Sequence, residues 1–288
     1  GIYCFEISAL FEALARIKPD NRQNEYYLTD VISRFVADGR KVVPFLFSDG
    51  KETLGINDRV SIAEIEGIMQ RQINESWMRE GVTLQGPDSI YIDSRSELSQ
   101  DVTIESGTVV VNSKISGGTM VEGHCRILNS TLGPECHIKQ GSCIEDSTID
   151  ALASIGPYAH IRPGSRIGKE VKIGNFVEVK KARFEDGSKA SHLSYIGDAE
   201  IGKGVNLGCG FITCNYDGEK KHKTIIEDNV FVGSDSQAVA PVKIGRGSYV
   251  ASGTTVTEDV PEGSLVISRG RQVTKEGYAR KYRIKKDQ

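Results

Sequence analysis

From residue 92 onward an apolar side chain returns every five or six residues, a period that neither an α-helix nor a simple hairpin keeps. The rungs begin Ile92, Leu98, Ile104, Val110, Ile115 and Val121, and hold phase through Ile144, Ile161 and Val179 to Ile201 and Leu207. After an interruption they resume at Ile226, Val232, Ala238, Ile244, Val250 and Val256. Two positions before most rungs stands a small residue, among them Thr108, Ser113, Cys125, Cys136, Ala153 and Ser165. One large aliphatic and one small residue per hexad predict a parallel β-helix in which each hexad is one short side of a triangular coil. Three hexads close a coil, so same-phase side chains 17 or 18 residues apart stack at about 4.8 Å. The same pattern makes Cys125 and Cys136 packing residues at inward corners.

Composition narrows the function. With 36 Lys plus Arg against 39 Asp plus Glu, the net charge is −3, and a nucleic-acid backbone is an unsuitable partner. No apolar run approaches the roughly 18 residues of a membrane span, and no basic-then-apolar leader opens the chain. The expectation is a cytoplasmic protein with no membrane or nucleic-acid partner. Six cysteines without a C-x-x-C pair fit a reducing compartment, and the 31 glycines fit a chain rich in turns. The start at Gly1-Ile2-Tyr3, without a methionine, reads as a piece of a longer protein.

Residues 1–59 lack the ladder and read as a mixed α/β segment, with a helix around Leu28 to Ala37 and a strand at Lys41 to Phe47. Ser61-Ile62-Ala63-Glu64 reads as a capping box opening a helix with the apolar face Ile62, Ile65, Met69, Ile73 and Trp77, and Gly81 ends it. The expected division is therefore 1–59, a linker helix over 60–81, and the β-helix with its tail over 82–288.

Stacking turns the ladder into a map of neighbours. Arg162 and Lys180 follow rungs one coil apart, so two cations lie above one another facing outward. Stacked like charges favour a bridging anion such as a phosphate, against the alternative of two solvated surface cations. Glu178 should lie beneath Tyr195, and His192 beneath Cys209, with Asn206 close along the chain. An outward imidazole, which titrates near neutrality, suits proton acceptance from an attacking amine or hydroxyl. Residues 208–223 break phase and are expected to leave the prism as a polar, lysine-rich loop. His124, His137 and His160 follow one another at 13 and 23 residues, neither a multiple of the coil length, so one chain does not stack the three as metal ligands, although symmetry-related chains could combine them. The basic tail over residues 271–286 is either a solvated end or an arm for a diphosphate.

The hexad pattern resembles the hexapeptide-repeat acyltransferases, and that resemblance implies a left-handed β-helix. Four ordered motifs are more specific: Ile161-Arg162-Pro163-Gly164, Asn175-Phe176-Val177-Glu178-Val179-Lys180-Lys181-Ala182-Arg183, Ser191-His192-Leu193-Ser194-Tyr195-Ile196-Gly197-Asp198 and Thr213-Cys214-Asn215-Tyr216-Asp217-Gly218. With them the whole chain resembles the bacterial bifunctional N-acetylglucosamine-1-phosphate uridyltransferase/glucosamine-1-phosphate acetyltransferases. The resemblance implies acetyl transfer from acetyl-CoA to the amine of glucosamine 1-phosphate. In the complete enzyme uridylyl transfer from UTP follows, giving UDP-N-acetylglucosamine for peptidoglycan and lipopolysaccharide. It implies His192 as general base, Arg162 and Lys180 on phosphate, and Tyr195, Asn206 and Lys221 on the sugar. Cys209, Asn215, Tyr216, Ser234, Ser252 and Arg269 would contact acetyl-CoA, with Cys209 acting through backbone and not as a nucleophile. It also implies a homotrimer with acetyltransferase sites between neighbouring prisms. Residues 1–59, with Asn24-Glu25-Tyr26-Tyr27-Leu28-Thr29-Asp30 and Gly55-Ile56-Asn57-Asp58-Arg59, resemble the end of the uridyltransferase domain, where Asn57 would bind Mg²⁺ and the nucleotide sugar. The Gly-rich nucleotide loop and the partnering metal aspartate are absent from this chain. The alternatives are a hexapeptide enzyme with another acceptor and a non-catalytic β-helix scaffold.

Overall fold

In a computed structural model of the protein, residues 2–46, 50–268 and 270–280 are described. The chain divides into two compact units, Gly1–Met69 and Gln70–Gln288.

The second unit is a left-handed parallel β-helix of about eleven turns. Its strands form three parallel sheets of eleven, ten and nine strands among the described residues. The first face runs from Thr83–Leu84 to Leu265–Val266, the second from Tyr91–Ile92 to Thr255–Val256, and the third from Glu97–Leu98 to Val242–Ile244. The register follows the ladder: Ile144 pairs with Ile161, Ile161 with Val179 and Val179 with Ile196. Those four side chains are fully buried, and so are the small residues Thr108, Ser113 and Ser165. The small residues fit inside because their hydroxyls are satisfied; Ser113 Oγ, for example, donates to Val111 O at 2.8 Å. Cys125 and Cys136 are buried in the same way, with Sγ 3.2 Å from Lys139 O and 3.1 Å from Asp150 O.

Helix α3 (Arg59–Arg79) begins three residues earlier than a capping box at Ser61 requires. Asp58 is the cap: its Oδ1 accepts the Ser61 N–H at 2.8 Å and the Ser61 hydroxyl at 2.7 Å. The helix ends in a Schellman turn, with Val82 N–H on Trp77 O, Gly81 N–H on Met78 O, and Gly81 at φ +93°. Only the C-terminal part of the expected apolar stripe is used within the β-helix unit, where Ile73 and Trp77 pack on the core. Buried Asn74 lies between them and donates to Pro87 O and Ile90 O, while Gln70 donates to Ile92 O at 3.2 Å. These bonds cover carbonyls flanking and within Tyr91–Ile92, the terminal strand of the second face, whose exposed edge would otherwise be a pairing hazard.

In the first unit, α1 (Ile7–Leu14) and α2 (Asp30–Ala37) pack through Ala9, Ala13, Val31 and Phe35. The strand expected at Lys41 to Phe47 does not form over residues 41–46, and Phe47 lies outside the described residues. A strand exists only against a partner, and the described elements of this unit are helical. No helix among the described residues is long and apolar enough to cross a membrane.

Candidate active site

The first and second faces meet at a corner that repeats coil after coil. Phe176, Leu193, Gly210, Asp235 and Gly253 take left-handed backbone there, with φ from +45° to +77°. Each ends a stretch of the first face, and the residue before it is half-buried or exposed. Those preceding residues are Asn175, His192, Cys209, Ser234 and Ser252. Asn175 pairs with His192 in register. The column continues through Gly210 N–H on His192 O, Asp235 N–H on Cys209 O and Gly253 N–H on Ser234 O. Four of the residues expected at the site therefore share one corner, spaced by about 4.8 Å per coil.

His192 is exposed, and its Nδ1 lies 2.7 Å from Asn175 Oδ1. An amide oxygen only accepts, so Nδ1 donates, and in the neutral ring the lone pair is on Nε2. Asn175 stands one coil below His192, at the same spacing by which the ladder places Cys209 above it. A cleft beside His192 is lined by Lys139, Lys172, Asn175 and Ser191.

The second face supplies the charges. Glu178 pairs with Tyr195 and Lys180 with Gly197, as the stacking predicts. Arg162 lies beside Lys180, its N–H bonded to Val179 O, but its guanidinium is not left to a foreign anion: Nη1 is 2.7 Å from Glu178 Oε1. The unneutralised pair is Lys180 and Lys221. The Lys221 ammonium, followed by Arg162, holds Lys180 below the usual lysine pKa. Gly197 leaves room for two other groups, since a Cβ there would stand 2.5 Å from Tyr195 Oη and 2.7 Å from Asn215 Nδ2. Asn215 is buried and donates to Asp198 Oδ2 at 2.6 Å.

The interruption starts later than its sequence suggests. Residues 208–214 stay in the prism, with strand Ile212–Cys214 paired to Tyr195 below and Gln237 above. The rung is polar, Thr213, with its hydroxyl bonded to Gly197 N–H (2.7 Å) and Gly197 O (3.0 Å), which is why it escaped a search for apolar residues. Rungs across the insertion stand 25 residues apart, as in Ile201 with Ile226, so only seven or eight residues leave the coil. They form a small hairpin with a Tyr216–Lys221 bridge. Asp217 organises its turn by accepting from Glu219 N–H and Lys220 N–H, and it pairs with His222 at 2.6 Å. The hairpin presents Lys221 to Lys180 and leaves Tyr216 exposed.

Asn206 projects from the first face, paired in register with Lys189 and Phe231, apart from the second-face cations. Arg269 lies outside the described residues. Asn57 precedes α3, where its N–H bonds Ser61 Oγ at 3.2 Å and the neighbouring Asp58 carboxylate is engaged as the helix cap. The described residues there do not fit a Mg²⁺ site by themselves. His137 is tied to Glu122 (2.7 Å) and His160 to Glu145 (3.2 Å), so the three histidines share no site within the chain.

A proton acceptor with a fixed tautomer thus stands at the edge of a face bearing three cations and a tyrosine. The arrangement suits nucleophilic attack by an amine on an acyl donor, with an anionic group held on the cations.

Residues 146–181 and 223–258 match the bacterial transferase hexapeptide (six repeats) model. The chain is 47% identical over 282 residues to the bifunctional protein GlmU of Shouchella clausii, covering 98% of this chain and 62% of the relative. It is 48% identical to the GlmU of Pelobacter propionicus, covering 99% and 62%. It thus spans about 62% of the length of these curated relatives. Among solved structures, the UDP-N-acetylglucosamine acyltransferase from Campylobacter jejuni aligns with 64% of this chain and 70% of its own, at 19% identity and a TM-score of 0.43.

Proposed function

We infer that this chain belongs to the family of those bifunctional GlmU proteins and transfers an acetyl group from acetyl-CoA to the amine of glucosamine 1-phosphate. The observation that carries the reading is His192, held by Asn175 with Nε2 free, at the border of a face that gathers Arg162, Lys180 and Lys221. In this reading the phosphate lies on Lys180 and on Arg162 turned from Glu178, with Tyr195, Asn206 and Lys221 on the sugar. Acetyl-CoA lies along the column of Cys209, Ser234 and Ser252, with Asn215, Tyr216 and Arg269 completing its contacts.

The amine nitrogen attacks the thioester carbonyl, and the new C–N bond forms as the C–S bond breaks. His192 Nε2 takes the ammonium proton that the nitrogen must shed, and the coenzyme thiolate leaves and is protonated. The products are N-acetylglucosamine 1-phosphate and coenzyme A, without an acyl-enzyme. The reading includes a homotrimer in which a neighbouring chain completes the site. Uridylyl transfer from UTP with Mg²⁺, making UDP-N-acetylglucosamine, belongs to the longer protein, with Asn57 as one of its ligands.

The test is thiol release from acetyl-CoA with and without glucosamine 1-phosphate, comparing the wild type with His192→Ala. Release that requires the sugar phosphate and falls by about 10²–10⁴ in the variant is expected for a lost general base. Equal release by both proteins removes His192 from the chemistry, and no release from the folded wild type overturns the acetyltransferase.

A further inference from the structure

Away from the corner at His192, the second face carries three unlike ligands together. Cys143 and Glu145 are two apart on strand Cys143–Glu145 and project to the same side. His160 opens strand His160–Ile161 on the next coil, directly opposite Cys143 in register. One ligand atom from each residue lies within 4.8 Å of the other two, and all three residues are half-buried. His160 Nε2 is 3.2 Å from Glu145 Oε2. Tetrahedral zinc with bonds of about 2.0–2.3 Å holds its ligand atoms roughly 3.3–3.7 Å apart. The imidazole and carboxylate already stand near that separation, and the sulfur lies within 4.8 Å of both. Fully buried Ile144 and Ile161 anchor both strands, so the projecting side chains sit on rigid backbone.

The donor set selects the ion. Sulfur, nitrogen and one carboxylate suit zinc, whereas magnesium and calcium take oxygen ligands. We propose that Cys143, Glu145 and His160 bind one Zn²⁺, with water at the fourth position. On binding, the Cys143 thiol releases its proton to solvent, and the His160 proton resides on Nδ1 so that Nε2 can ligate. One thiolate and one carboxylate then balance the divalent charge. Arg126 flanks the group on the preceding coil, and Arg162, on the coil of His160, is paired with Glu178 on the following one. Burial, reinforced by Glu145, raises the Cys143 pKa in the metal-free protein, and the metal reverses that preference. The site does not depend on the acetyltransferase reading.

The experiment titrates Co²⁺ into the chelator-stripped, untagged full chain. A thiolate-to-cobalt charge-transfer band saturating at one equivalent and erased by Zn²⁺ is expected. It should persist in Cys4→Ser and Cys214→Ser and vanish in Cys143→Ser and His160→Gln, with zinc affinity at least about 100-fold weaker, the upper end of what losing an outer-shell partner costs. Absence of the band from the wild type, or its survival in either ligand variant, overturns the site. Thermal unfolding of the stripped wild type guards against a variant that fails to fold: Zn²⁺ should raise its Tm where Mg²⁺ does not, and an unmoved Tm overturns the proposal.

Discussion

Asn175 illustrates how much a single side chain fixes at the corner. It has no charge, yet its amide oxygen decides which nitrogen of His192 is free. Replacing it by alanine should lower kcat while the acceptor KM holds, because the imidazole loses its orientation and not its neighbours. Asn175→Asp is the sharper variant. A carboxylate oxygen at that place still accepts from Nδ1, so Asn175→Asp should keep the ring oriented and recover much of the kcat that alanine loses. An Asn175→Asp variant as slow as Asn175→Ala would refute the orienting role of that oxygen. Thr213 makes a similar point about stability. Valine has its shape and is more apolar, but Gly197 N–H would lose its acceptor inside the prism. Thr213→Val should destabilise by about 1–3 kcal/mol in urea unfolding, and a neutral or stabilising result would refute the hydroxyl's part.

At the scale of elements, the strands of the prism were legible in the sequence because every hexad repeats the same choice of inward residue. What escaped was set by a single local competitor. Asp58 outcompeted Ser61 as the α3 cap because its carboxylate reaches the Ser61 amide and hydroxyl together. A polar rung at Thr213 hid one strand, so the loop seemed to begin early, and the apolar run at residues 41–46 lacked a partner strand. The cations, His192 and their stacking were readable from coil arithmetic, whereas the Arg162–Glu178 pair depends on which way two long side chains turn. Glycines separate the two levels experimentally. A Cβ on Gly174 would stand 1.8 Å from Ser191 O, so Gly174→Ala must part the strands Lys172–Asn175 and Lys189–His192 that hold Asn175 and His192. The expected cost is about 1–3 kcal/mol together with a fall in kcat. In α3, Gly67 meets nothing within 4 Å, and Gly67→Ala should stabilise by about 0.5–1 kcal/mol without touching activity. Equal effects of the two substitutions would mean that close coil packing is not what positions His192.

The β-helix unit behaves as a stack in which each coil is held by the coils beside it, so an interior coil opens only when its neighbours do. Its cysteines report on this directly. Cys4, in the first unit, is exposed, whereas Cys125 and Cys136 are sealed inside interior coils. Burial pushes the Cys125 thiol up to about 11. At pH 8 such a group is thiolate in only about one part in a thousand, against roughly a quarter for a thiol of ordinary pKa near 8.5. Access and ionisation therefore protect the same atom. Iodoacetamide at pH 8 should modify Cys4 at the rate of a free thiol and leave Cys125 and Cys136 untouched in the native protein. Both should then become reactive across the urea range in which the far-ultraviolet circular dichroism of the β-helix is lost, because unfolding removes the burial and returns the pKa to its ordinary value. Peptide mass spectrometry at each urea concentration reads the three sites independently. Labelling of Cys125 well below that transition, with the coil signal intact, would show that interior coils open singly and that the stack is not the source of its own stability.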